Sequence, residues 1–296
     1  MKNILVTTSS FRANSFLEGY QVIYNPYKRK LTEEELIGLF REYDPEGIIA
    51  GVEPITAKAL EAAPSLRVIS RCGVGIDSID VDAVQARHIE LRVTAEAPTV
   101  SVAELTITLM LNLMKKVNLL DRSMRAGGWK GPQGALLEGK RVGIIGCGRI
   151  GSRVAKLVRA FDAEPLGCDA FVKTHPIMQM VSLDELLQNC DIITLHAPMC
   201  PENFHMIGKR QFGMMKKGAY LLNVARGGLV DEAALLEALQ DGTLSGAALD
   251  CFEMEPYSGP LTQMDSVILS PHMGTSAAEC RLKMENDAIL NLLNAL

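Results

Sequence analysis

The chain has 296 residues, 48% of them hydrophobic and 22% charged, with a single Trp; this composition buries a core and excludes a disordered or fibrous protein. A formal net charge of −5, with Lys and Arg scattered along the chain, leaves no basic stripe to neutralise a phosphate backbone, so nucleic acid is not expected as a partner. The seven cysteines are odd in number and show no C-x-x-C pair, which points to reduced, mostly buried thiols in a cytoplasmic protein.

In chain order, the N-terminal segment reaches Thr7 after three apolar residues, too short a run for the core of a signal peptide. Short β-rich runs at 3–7, 20–24, 47–50, 66–70 and 90–94 alternate with helical segments, the pattern of a small open parallel sheet. Thr32 with Glu35 forms a capping box ahead of Leu36, Leu39 and Phe40, so a helix starts at about residue 33, and a second helical segment covers 56–63. A long helix is expected from 101 to about 125, ending at Gly127-Gly128. Its apolar part, 102–114, contains Glu104, Thr106, Thr108 and Asn112 and falls short of a membrane span; no membrane partner is expected. A second alternating series follows, with strands near 141–146, 164–169, 191–196, 219–224, 245–250 and 267–270, and with Ser182 and Glu185 as a further capping box. The expected class is α/β, with two doubly wound parallel-sheet domains.

Gly146-Cys147-Gly148-Arg149-Ile150-Gly151 comes directly after a strand and opens a helical run, the context that gives a G-x-G-x-x-G motif meaning as a dinucleotide fingerprint. Gly146 allows the tight turn, Gly148 lets the backbone approach a pyrophosphate, Gly151 lets helix and strand pack closely, and the helix N-terminus supplies N–H donors. Asp169 ends the next strand, where a carboxylate accepts from a ribose diol and repels a 2′-phosphate; NAD is expected over NADP, with Lys173 close by as the one feature against.

Three further motifs fall where strands of the second sheet should end: Asn223-Val224-Ala225-Arg226, Leu249-Asp250 through Glu255-Pro256, and Ser270-Pro271-His272-Met273-Gly274. Ligands of open α/β sheets gather at such carboxyl ends. With these motifs in this order, the chain resembles the D-isomer-specific 2-hydroxyacid dehydrogenase family, most closely its phosphoglycerate dehydrogenase-like branch. The resemblance implies a catalytic trio of Arg226, Glu255 and His272. An imidazole exchanges a proton near neutral pH, a carboxylate orients the ring, and a guanidinium binds a carboxylate and polarises a carbonyl in a planar fork. It also implies cofactor-lining positions at His196, Ala197, Pro198, Val224 and Asp250, with His196 serving through its backbone rather than as a second base. Arg71, Val74 and Gly75, in the loop Arg71-Cys72-Gly73-Val74-Gly75, are implied as substrate contacts through a nest of backbone N–H groups.

The implied organisation is a flavodoxin-like substrate domain from 1–95 and 276–296 and a Rossmann NAD domain from 96–275, with the active site in the cleft between them. A homodimer is implied by the bridging helix and Trp129, and no metal is expected. The sequence departs from the phosphoglycerate branch in having Glu53-Pro54 where Arg-Ser is frequent, and Gly131-Pro132-Gln133 after Trp129-Lys130 where a basic cluster is frequent. Arg71 and Lys130 remain as candidate phosphate anchors, with solvated surface charges as the alternative. With the chain ending at Leu296, no appended regulatory domain is expected. The leading expectation is D-3-phosphoglycerate dehydrogenase-like hydride transfer at C2 of a 2-hydroxy or 2-keto acid. The alternatives are a glyoxylate or hydroxypyruvate reductase and, in another class, an NAD-sensing corepressor-like protein.

Overall fold

The structure is a computed structural model that describes residues 2–12 and 19–296. The chain forms two compact units, one from Met1–Pro98 and Thr275–Leu296, the other from Thr99–Gly274.

The first unit holds five parallel strands, β1 (Lys2–Val6), β2 (Tyr20–Tyr24), β3 (Gly47–Ala50), β4 (Val68–Arg71) and β5 (Glu90–Val93), in the order β2-β1-β3-β4-β5. Alternation along each strand divides its side chains between two cores. Leu5, Ile48 and Ile69 pack with Leu36, Phe40 and Leu60 on one face, while Ile4, Ile49 and Val68 meet Met284, Ile289 and Leu292 of the helix Ala278–Leu293 on the other. That C-terminal helix lies close, because Gly47 leaves the room: a Cβ there would sit 2.8 Å from Leu292 Cδ1. The expected capping box is complete. Thr32 Oγ1 accepts from the Glu35 N–H, and the Glu35 carboxylate accepts from the Thr32 N–H at 2.9 Å.

The second unit carries seven parallel strands: β6 (Arg141–Ile145), β7 (Glu164–Cys168), β8 (Gln179–Met180), β9 (Ile192–Leu195), β10 (Ala219–Asn223), β11 (Leu244–Leu249) and β12 (Val267–Leu269). Their order, β12-β11-β10-β9-β6-β7-β8, reverses direction between β6 and β9, a topological switch point with a crevice at the carboxyl ends of those two strands. The apolar pattern predicts only six of these strands. β8 escapes it because it is a two-residue edge strand, too short to show a period. At Ser182 only half of the expected capping box forms, the hydroxyl accepting from the Glu185 N–H.

The single long helix expected over 101–125 is two helices, Pro98–Lys115 and Val117–Arg125, broken at Lys116, which adopts φ 58°. The i→i−4 bond from Asn118 to Met114 is replaced at both ends. Asn118 N–H donates to Asn112 Oδ1 at 2.9 Å, and the Met114 carbonyl accepts from Ala135 N–H at 2.9 Å. No described helix is long and apolar enough to cross a membrane.

All seven cysteines are free thiols, five of them buried, with Cys200 exposed. Burial pushes the Cys72 thiol up to about 11 and those of Cys147 and Cys190 up to about 12, so these behave as small apolar side chains rather than nucleophiles.

Candidate active site

The β6 turn has the backbone that a dinucleotide loop needs. Gly146 lies at φ 95°, and a Cβ on it would come within 2.5 Å of the His196 carbonyl carbon and the Ala197 nitrogen, across the switch point. A Cβ on Gly151 would collide with the Gly146 carbonyl oxygen, so only glycine lets the helix Arg149–Ala160 start this close to the strand. Gly148, by contrast, has open space where its Cβ would be, which leaves room for an incoming group at the helix N-terminus. Arg149 is exposed and Ile150 packs partly against the core. The cradle fits a pyrophosphate.

Asp169 ends β7 with its carboxylate already shaping the loop. Oδ2 accepts from Cys147 N–H at 2.7 Å, and Oδ1 accepts from Phe171 N–H at 2.8 Å and Val172 N–H at 3.0 Å. Burial opposes its ionisation, but the N–H groups of Val172, Cys147 and Phe171 win and hold the carboxyl below the usual carboxylate range. Lys173 turns to the Ala170 carbonyl at 2.6 Å.

At the end of β9, His196 Nε2 lies 3.0 Å from Thr194 Oγ1, while Nδ1 is buried with no hydrogen-bond partner. Burial pushes this imidazole down to about 3, so it stays neutral at any physiological pH and is a poor second base. The folded-state value lies below the usual 6.5. Above that pH folded and unfolded chains bind the same protons here; below it the unfolded chain takes one up that the fold refuses. Stability therefore falls as pH drops from 6.5 toward 3, by at most about 1.4 kcal/mol per pH unit from this group. Thermal melts between about pH 7 and pH 4 should fall less steeply for His196→Gln than for wild type, and identical slopes would refute this account.

β10, β11 and β12 are neighbours in one parallel array, and their carboxyl ends carry Arg226, Glu255 and His272 in turn. His272 Nδ1 lies 2.9 Å from Glu255 Oε2 and 3.0 Å from Oε1. An ionised carboxylate only accepts, so the hydrogen on Nδ1 points to Glu255 and Nε2 is the ring nitrogen turned away from it. The ring is half-exposed. Glu255 is held in turn, since Oε1 also accepts from Phe252 N–H at 3.1 Å.

Asp250, expected at the cofactor, has a structural task of its own. Its buried carboxylate accepts from Ser270 Oγ at 2.6 Å and from the N–H groups of Met273 and Gly274, both at 2.9 Å. These bonds clamp the turn on which His272 sits at φ 50°, a conformation that costs a non-glycine residue about 1–3 kcal/mol unless its surroundings impose it. Sequence reasoning missed this function and also Ser270, whose only signal was a hydroxyl two residues before the histidine.

Arg226 projects from a turn closed by Asn223, whose side-chain amide donates to the Arg226 carbonyl at 2.8 Å. The following Gly227 packs backbone against backbone on Phe252, where any Cβ would collide, so the Arg226 turn and the Glu255 loop fit together as one piece. Val224 is partly buried against the core, and Ala197 and Pro198 edge the switch-point crevice.

In the first unit, Val74 is exposed and Gly75 half-buried on a loop after β4. Arg71 is buried, with its guanidinium turned under that loop: Nε donates to the Gly75 carbonyl at 3.0 Å and Nη1 donates to the Cys72 carbonyl. It shapes the loop from beneath. Glu53 is buried beside Thr7 and Gly51, whose hydroxyl and N–H both donate to Oε1.

Residues 107–274 match the family model for the D-isomer specific 2-hydroxyacid dehydrogenase NAD-binding domain. The chain is 40% identical over 259 residues to D-3-phosphoglycerate dehydrogenase of Methanocaldococcus jannaschii, a match covering 85% of this chain and 49% of that protein. It is 38% identical over 278 residues to glyoxylate reductase of Thermofilum pendens, covering 90% and 82% respectively. Among solved structures, a glyoxylate reductase from Paecilomyes thermophila superposes with a TM-score of 0.91 at 29% identity, covering 99% of this chain and 95% of that one. The chain thus spans about half the length of the D-3-phosphoglycerate dehydrogenases that it matches.

Proposed function

This chain belongs to the D-isomer specific 2-hydroxyacid dehydrogenase family, and from that premise we propose that it is an NAD-dependent oxidoreductase acting at C2 of a 2-hydroxy or 2-keto acid. The observation that carries the reading is the His272–Glu255 pair at 2.9 Å on strand ends adjoining that of Arg226. NAD, when bound along the Gly146–Gly151 turn, supplies or accepts the hydride. The Arg226 guanidinium grips the substrate carboxylate and draws electron density from the C2 oxygen. His272 delivers a proton from Nε2 to that oxygen in reduction and takes it back in oxidation, while Glu255 fixes the tautomer and steadies the imidazolium. Asp250 keeps the ring in place.

The relatives' names favour D-3-phosphoglycerate and its keto acid as the substrate pair. A second reading, reduction of glyoxylate or hydroxypyruvate, is favoured by the likeness to a glyoxylate reductase, 82% of whose length the match covers, where the D-3-phosphoglycerate dehydrogenases are covered over about half. Following NADH consumption with 3-phosphohydroxypyruvate, hydroxypyruvate and glyoxylate side by side tests both. Turnover of one or more supports an oxidoreductase and ranks the substrates. Tight NADH binding with no turnover of any would replace the enzyme by an NAD sensor.

For assembly we propose a homodimer. The helix Val117–Arg125 buries none of its residues, Val117 and Met124 stand exposed on it, and Trp129 beyond it is 85% exposed, an apolar surface suited to a second copy. Sedimentation at micromolar concentration should return twice the chain mass; a monomer mass would refute this.

A further inference from the structure

Beside the site, three loops of the second unit meet through a cluster that none of the steps above uses. His205 Nε2 lies 3.0 Å from Glu253 Oε1. Glu253 and Glu232 form a reciprocal pair: Glu253 N–H donates to Glu232 Oε1 at 2.8 Å, and Glu232 N–H donates to Glu253 Oε1 at 3.4 Å. Each member belongs to a segment bearing on the proposed chemistry. The His205 N–H donates at 2.7 Å to the carbonyl of Gly228, two residues past Arg226. Glu232 opens the helix Glu232–Gln240 that follows that turn, and Glu253 stands two residues before Glu255.

His205 is held firmly. It adopts φ 53°, a left-handed conformation that few L side chains accept, and its ring stacks on Phe204 at 3.9 Å between centroids and 18° between planes. Phe204 in turn borders Gly228, where a Cβ would lie 3.1 Å from its ring. The imidazole also has an electrostatic task. Glu232 and Glu253 are like charges side by side; burial raises the Glu232 carboxyl, the Glu253 charge adds to this, and the Glu253 N–H together with His205 counters it. Without the ring, the two carboxylates lose the group that draws their loops together.

We propose that His205 is a positioning residue: through Glu253 and Glu232 it locks the Arg226 turn to the Glu255 loop, and so sets where the guanidinium stands relative to the His272–Glu255 pair. This rests on the proposed function, in which those three residues act on the substrate. In the otherwise unaltered chain, His205→Ala should lower kcat by about ten- to hundredfold, the scale of a small misplacement of reacting groups, and leave the Kd for NADH unchanged. His205→Gln keeps an N–H donor for Glu253 and should recover most of kcat. His205→Ala and Glu253→Ala together should cost less than the sum of their single losses, because both break the His205–Glu253 link, while Glu253→Ala also removes the acceptor of the Glu232 N–H. A purely structural role would lower Tm and NADH affinity together and would not separate Gln from Ala. Wild-type kcat in His205→Ala, equal losses in the Ala and Gln variants, or fully additive losses in the double variant would each overturn the proposal. Wild-type protein that reduces none of the three keto acids removes the proposed function and this inference with it.

Discussion

Replacing His272 with Asn should lower kcat by about 10²- to 10⁴-fold, the contribution of a positioned general acid–base, while the Kd for NADH holds. The two effects separate because the groups lie on different strands. The cofactor loop and Asp169 follow β6 and β7, whereas His272 follows β12 at the far edge of the sheet. Asn keeps a hydrogen-bonding group for Glu255 and avoids a cavity, and Asn is among the residues that tolerate the left-handed φ of 50° found at this position. The substitution therefore removes the exchangeable proton and little else. Steady-state turnover and fluorescence titration with NADH measure the two quantities, and an unchanged kcat would end the assignment of His272 as the proton carrier.

Arg226→Lys should cost about ten- to hundredfold in kcat/KM with the charge retained. A lysine presents a point charge where the guanidinium presents a fork, so one charge-assisted hydrogen bond is lost, worth about 1.5–3 kcal/mol, and each 1.4 kcal/mol is about a factor of ten in rate. The loss should appear with each of the three keto acids, since all present the same carboxylate and C2 carbonyl to the fork. Equal kcat/KM for the Arg226→Lys variant and the wild-type protein across the three keto acids would show that the guanidinium grips neither carboxylate nor carbonyl.

What could be read in the sequence was what is local. Every strand of three or more residues lies within about two positions of where its β-rich run predicts it, and the Thr32–Glu35 box fixed a helix start, because each depends on neighbours within a few positions. The glycine fingerprint was legible for the same reason. The break at Lys116 was not, because no glycine or proline marks it; the Asn112 amide and the Ala135 N–H take over the hydrogen bonds that a continuous helix would have kept. The Asp250 clamp on the His272 turn joins residues more than twenty positions apart, and the His205–Glu253 link joins residues 48 apart. Arg71 was legible as a charged residue on a glycine-rich loop, but the two bonds by which its guanidinium donates to the Gly75 and Cys72 carbonyls were not.

The contact at Gly227 has a bearing on how such a protein is able to diverge. With main chain lying on main chain between residues 227 and 252, neither segment has slack to absorb an inserted or deleted residue, and even a methyl group finds no room. Changes of length along this edge of the sheet would part the guanidinium from the acid before they altered anything else. Descendants of this chain that accept new acids should keep these two stretches at fixed spacing and vary elsewhere.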